Sequence, residues 1–257
     1  GSISWRMPFF GTAALMAIGL LAIIALLPKP ASTPAKASLG AGFAALRRPP
    51  LLLLSAAALC YNFGFFTLLA YSPYPLEAAA RATGVDFGAH ELGLVFFGWG
   101  LALAVTSVFA APRLTRRFGL IPVLAVTLAL LAASLVTMAL GARRFPLLVV
   151  AVVVAGLFLG ILNTALTEAV MEATDLPRNI ASSTYSGVRF LGGAMAPAVS
   201  GSIAEAFGPG GPYWFAAGAI ALSMVVLLGG RGLLTRVTTP HATEQEEASA
   251  ITAGDEV

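Results

Sequence analysis

The sequence predicts an all-α integral membrane protein of about seven transmembrane helices. Hydrophobic residues make up 58% of its 257 residues and charged ones only 11%, against roughly 25% charged in a soluble domain. The apolar residues also arrive in uninterrupted runs of about 20, the length needed to cross a ~30 Å hydrocarbon core. No strand alternation of the kind a closed barrel needs competes with helices as the way to satisfy the backbone in lipid.

The elements follow in order. Met7 to Leu27 carries no charge and stops at Pro28-Lys29-Pro30, where proline and a cation favour exit from the bilayer. This first run is too long for a signal-peptide core, so it reads as a span that stays. Residues 29–50, rich in Pro, Ala, Ser and Lys and closed by Arg47-Arg48-Pro49-Pro50, form a solvated linker. Span two runs from Leu51 to Tyr71; Pro73 and Pro75 end it before a mixed loop carrying Glu77, Arg81, Asp86, His90 and Glu91. Span three covers Leu92 to Ala111, and the basic turn Pro112-Arg113-Leu114-Thr115-Arg116-Arg117-Phe118-Gly119 joins it to span four, Leu120 to Leu140. A connection that short makes an antiparallel hairpin. Span five starts near Phe145 and its helix can continue through Glu168 and Glu172 to the break at Asp175-Leu176-Pro177. Span six, Ala181 to Ala204, holds the charge Arg189, and span seven runs from Tyr213 to Leu228. Residues 231–257 are expected to be a polar, acidic, disordered tail.

The formal net charge of +3 comes from short basic clusters between apolar runs, which topology explains better than a nucleic-acid partner does. Lys29, Lys36, Arg47, Arg48, Arg113, Arg116, Arg117, Arg178, Arg231 and Arg236 fall on one side of the membrane; Arg6, Arg81, Arg143 and Arg144 fall on the other. The richer side is expected to be cytoplasmic, leaving Gly1 outside and the C-terminus inside. Cys60 has no second cysteine, and His90 and His241 lie in a loop and in the tail. Without HExxH, Walker or GxSxG arrangements the chain is expected to be no enzyme and to need no metal or cofactor.

Polar groups at membrane depth are costly, so each is a functional candidate. Asn62, in Tyr61-Asn62-Phe63-Gly64-Phe65-Phe66-Thr67, lies roughly 18 Å from the start of span two. It can line a cavity for an amphipathic ligand, or simply bond a neighbouring helix. Gly156-Leu157-Phe158-Leu159-Gly160 is a small-xxx-small pattern that reads as helix packing. Thr164, Glu168 and Glu172 recur every four residues and share a helix face, able to bind a proton or cation or merely to be solvated at the helix end. Arg189 lies roughly 12 Å into span six. Its charge needs a partner, and Glu168 or Glu172 is the nearest acid in sequence, as a fixed ion pair or as a gate. Gly192-Gly193-Ala194 and Pro197 then allow close packing and a kink. Arg113, Arg116 and Arg117 by themselves are a positive-inside anchor.

Together, Phe96-Phe97-Gly98-Trp99-Gly100, the basic turn ending in Gly119, Pro177-Arg178-Asn179-Ile180-Ala181-Ser182-Ser183 and Arg189-Phe190-Leu191-Gly192-Gly193-Ala194-Met195-Ala196-Pro197 resemble the major facilitator superfamily, in its bacterial drug-efflux branch. The resemblance implies twelve helices in two six-helix halves, of which this chain fits the last seven. Residues 1–28 would be the last helix of the N-terminal half, 29–50 the central cytoplasmic linker, 51–230 the complete C-terminal half and 231–257 a cytoplasmic tail. Five upstream helices would be missing. It further implies alternating access around a central site lined by the first and fourth helices of this half, which directs attention to Asn62, Phe66, Phe158 and Asn163. The basic turn with Arg113, Arg116, Arg117 and Gly119 would be the family's repeated cytoplasmic loop motif. The expected function is efflux of small amphipathic compounds by drug:proton antiport in a bacterial plasma (inner) membrane. Its partners would be a small-molecule substrate, protons, the bilayer and the missing half. Transport of another small solute by the same fold, a seven-helix receptor and an inactive truncated half are the alternatives.

Overall fold

The computed structural model describes residues 6–26 and 40–234, all of whose regular elements are helices. These are α1 (Met7–Leu26), α2 (Ala41–Ala45), α3 (Pro49–Tyr71), α4 (Pro73–Thr83), α5 (Ala89–Val105), α6 (Ala111–Phe118), α7 (Leu120–Leu140), α8 (Phe145–Glu172), α9 (Arg178–Phe207) and α10 (Gly211–Gly229). Most of the expected linker, with Lys29 and Lys36, and residues 235–257 of the expected tail lie outside the described residues.

Six of the helical stretches are long and apolar enough to cross a membrane. The remaining expected span, span six, is α9, whose 30 residues give ample length but include Arg189 and many Ser and Gly residues that dilute its apolar character. A span built this way gains by burying its polar face against other helices rather than in lipid.

Two expected loops are helical instead. Pro73 and Pro75 begin α4 rather than a mixed loop, because proline's fixed φ suits the first turn of a helix, where no backbone N–H is needed. The 11 residues of α4 are amphipathic, with Leu76, Ala79 and Ala80 buried and Glu77 and Arg81 paired at 3.1 Å on the outside. The basic segment 112–118 likewise continues the preceding helix: α5, a π-helical segment (Thr106–Ala110) and α6 form one rod from Ala89 to Phe118. The widened turn has a cause in the sequence. Pro112 cannot donate to the carbonyl four residues back and its ring crowds that carbonyl, so the helix opens, and the Ala111 N–H bonds Thr106 O, five residues earlier. The actual corner is Gly119 alone, at φ 83°, a left-handed conformation that suits glycine.

Around the bundle α9 packs on α3, α3 on α10, α10 on α7, α7 on α8 and α8 on α5, while α3 and α8 also meet. α3, α10, α7 and α8 thus close a ring, with α9 packed mainly on α3 and α5 on α8. Glycines set the closest approaches. A Cβ on Gly192 would meet the backbone of Leu59, joining α9 to α3, and one on Gly156 or Gly160 would meet the backbone of Trp99 or Leu103. The expected packing role of Gly156 and Gly160 therefore has a definite surface, α5. Ser223 Oγ donates to Ala57 O at 2.8 Å between α10 and α3, and Tyr213 OH bonds Ser72 Oγ at 3.0 Å where α3 ends.

By contrast, every side chain described in α1 is exposed, including Phe9, Phe10, Leu15 and Ile24. An apolar helix left uncovered by the described residues can be covered by lipid or by other helices.

Candidate functional site

Three helices bring polar side chains together between α3, α8 and α9. On α3, Tyr61 and Asn62 are both buried, although the residues around them are apolar. The Tyr61 hydroxyl donates to Asn163 Oδ1 on α8. Arg189 on α9 donates from a terminal guanidinium nitrogen to the same oxygen at 3.1 Å. Asn62 Nδ2 in turn donates to Arg189 O at 2.9 Å. One carbonyl oxygen has two lone pairs, so Asn163 is a saturated acceptor holding a phenol and a guanidinium at once.

Local sequence explains how they meet. Gly192 lets α9 lie against the α3 backbone, and a Cβ on Gly193 would stand 2.8 Å from both Asn62 Nδ2 and the Phe66 ring, so glycine leaves these side chains their space. The rings extend the cluster: Phe66 meets Phe190 edge to face at 6.2 Å, and the Arg189 guanidinium carbon stands 4.9 Å from the Phe190 ring centre and 5.6 Å from that of Tyr185. Both distances suit cation–π attraction.

Of the residues singled out in the sequence, Asn62, Phe66, Asn163 and Arg189 come together here. Phe158 does not: it is five residues before Asn163, hence on another side of α8, and lines a groove of about 610 Å³ with Leu130, Ser134, Leu147 and Val150 between α7 and α8. The expected ion pair is also not formed. Among the described residues Arg189 bonds an amide, not Glu168 or Glu172, and the pair within 4 Å is Arg81–Glu77. Glu168 and Glu172 occupy the last turns of α8, toward its break. The α6 residues Arg113, Arg116 and Arg117 are exposed; Arg113 and Arg116 donate to the carbonyls of Phe109 and Pro112 four residues back along the same rod, and Arg117 stands over the Phe118 ring.

Sequence reasoning missed Tyr61 and Tyr185. Tyr61 directly precedes Asn62, and Tyr185 lies four residues before Arg189 on one helix face, a spacing that signals contact. Replacing Tyr61 with Phe is expected to lower stability by about 1 kcal/mol, the worth of one hydrogen bond inside a membrane bundle, read as a small fall in melting temperature in detergent. A second polar seam ties α5 to α8. Thr106 Oγ1 donates to Leu157 O at 2.9 Å, and Ser107 Oγ bonds Thr164 Oγ1 at 2.7 Å, both in the π-helical turn.

Comparison with known proteins bears on this arrangement. The family model described as Major Facilitator Superfamily matches residues 74–253. The chain is 44% identical over 241 residues to the Multidrug efflux protein YfmO of Bacillus subtilis (strain 168), a match that covers 94% of this chain and 59% of that relative. The chain therefore spans about 59% of the length of the curated relative it matches.

Proposed function

The chain belongs to the major facilitator superfamily, and from that membership we propose that it serves as the C-terminal portion of a secondary exporter of small amphipathic compounds. In this reading α1 is the last helix of an N-terminal half, residues 29–50 are the cytoplasmic linker, 51–230 form the six-helix C-terminal half and 231–257 a cytoplasmic tail. The apolar surface of α1 that the described residues leave exposed supports the assignment, as does the internal core of α3 to α10. The membrane is the bacterial plasma membrane, with the cation-rich loops and the C-terminus inside.

The observation that carries the reading is the Tyr61–Asn163–Arg189–Asn62 cluster. It keeps a guanidinium, an amide pair and a phenol partway along three helices, where hydrocarbon makes such groups expensive. Families of this kind move substrate by rocking two halves about a site near the bilayer midplane. Two of the three helices of the cluster, α3 and α8, are those that the resemblance assigns to that site, and protons are the proposed exchanged ion.

The test expresses the complete reading frame in an efflux-deficient bacterium and measures resistance and dye accumulation against empty vector. Resistance to a subset of amphipathic compounds, with accumulation restored by a protonophore, is the expected result. Accumulation equal to the vector control, with the protein present in the membrane, would overturn the reading.

A further inference from the structure

Among the described residues the cluster holds a cation without a counter-charge. Asn163 Oδ1 already takes two donors. Arg189 Nε is buried with no hydrogen-bond partner, and so is the Tyr185 hydroxyl, whose ring lies 5.6 Å from the guanidinium carbon. The buried acceptors without a partner, Asn62 Oδ1 and the Tyr185 hydroxyl oxygen itself, are neutral and cannot balance a charge. Among the described residues no carboxylate lies within 4 Å of Arg189. A guanidinium at this depth that meets an amide and two aromatic rings but no carboxylate among the described residues calls for an anion.

We propose that Arg189, with Tyr185 beside it, is the docking point for the acidic group of an aromatic organic anion: a carboxylate, sulfonate or phenolate carried on a ring. The proposal rests on the transport reading above and names the substrate class of that same site. An acidic group supplies the missing acceptors and the countercharge together, and the planar guanidinium fork matches the two oxygens of a carboxylate or sulfonate. The ring system has its own surface. Phe190 is half exposed beside the half-buried Arg189, and Phe66 meets it edge to face, so an aryl group can stack or pack against them while its acid reaches the guanidinium. A purely cationic compound meets like charge here and finds no carboxylate in the cluster.

The experiment uses the full-length protein in proteoliposomes and three fluorescent aromatic probes of similar size: an arylsulfonate, a neutral dye and a cationic dye. The wild type is expected to transport the arylsulfonate. Arg189→Gln removes the charge, and Asn163→Asp keeps the acceptor but gives Arg189 an internal counter-ion. Both are expected to raise the arylsulfonate KM by about tenfold or more, the loss of roughly one charge-assisted bond, with kcat changed less. Arg189→Lys is expected to recover most of the affinity, since charge is retained. Should Arg189→Gln fail to accumulate, Asn163→Asp carries the test. Transport of only the neutral and cationic probes by the wild type overturns the proposal and leaves the transport reading standing. Equal loss of all three probes in Arg189→Gln overturns it too, placing the guanidinium in a structural pair with a facing segment. Transport of none of the three overturns the exporter reading, and this proposal with it.

Discussion

Asn163→Leu is expected to abolish export and to lower the stability of the helical bundle by about 3 kcal/mol. Two hydrogen bonds of roughly 1 kcal/mol each are lost within the membrane, and the rest comes from leaving a guanidinium with no acceptor. The reason lies in one atom. Asn163 Oδ1 is the shared acceptor of Tyr61 and Arg189, so its removal strips both donors in a single substitution and unlinks α8 from α3 and α9 at this depth. Thermal unfolding in detergent and transport in reconstituted vesicles provide the two readouts. Asn163→Asp, which keeps the acceptor oxygen and the shape, is expected to retain the fold. A leucine variant with wild-type melting and wild-type transport would show that the cluster has no organising role.

The second large effect is at Gly192. A Cβ there would fall against the Leu59 carbonyl, and backbone cannot move aside as a flexible side chain can. Gly192→Val therefore forces α9 away from α3, and the Asn62 to Arg189 carbonyl bond opens with it. Overpacking a well-filled core costs typically 1–3 kcal/mol, and about 3 or more is expected where the clash is with backbone. The measurement is the yield of monodisperse protein extracted from membranes, together with its melting temperature. Gly218→Ala on α10, where a Cβ meets nothing within 4 Å, is the matched control. Its effect is expected to stay below about 1 kcal/mol, the propensity difference between the two residues. Equal behaviour of the two variants would mean that the α3–α9 contact is looser than the structure indicates.

Much of this architecture was readable because membrane spans are specified by composition over a long window. The runs at Met7, Leu51, Leu120 and Phe145 could hardly be anything else, and the extension of span five to Glu172 followed from the absence of any breaker before Asp175. Proline was the weakest guide. At Pro73 and Pro75 it was read as a stop and proved a start, and at Pro112 it marked a widened turn inside a continuing helix. Which role a proline takes depends on whether the chain beyond it can bury a face, and α4 does so through Leu76, Ala79 and Ala80.

The candidate site shows the same division. Asn62 and Arg189 were singled out because a polar side chain inside an apolar run is conspicuous whatever surrounds it, and Asn163 because the resemblance directed attention to the fourth helix of the half. Their partners were not legible. Glu168 and Glu172 are acids close to Arg189 in sequence, yet the guanidinium bonds Asn163, and Phe158 turns to the groove beside α7.

By itself, the sequence determined that this chain lives in a membrane, where its long apolar runs lie, and which residues are too polar to sit in lipid unaided. These are properties of local composition and of the hydrocarbon thickness it must match. Tertiary structure alone decided that Tyr61 and Arg189 share one amide oxygen, that Gly192 brings α9 onto α3, and that no carboxylate among the described residues lies within 4 Å of Arg189. Those outcomes depend on the rotation of each helix about its own axis and on how closely backbones approach, and neither is written in the order of residues along a single helix.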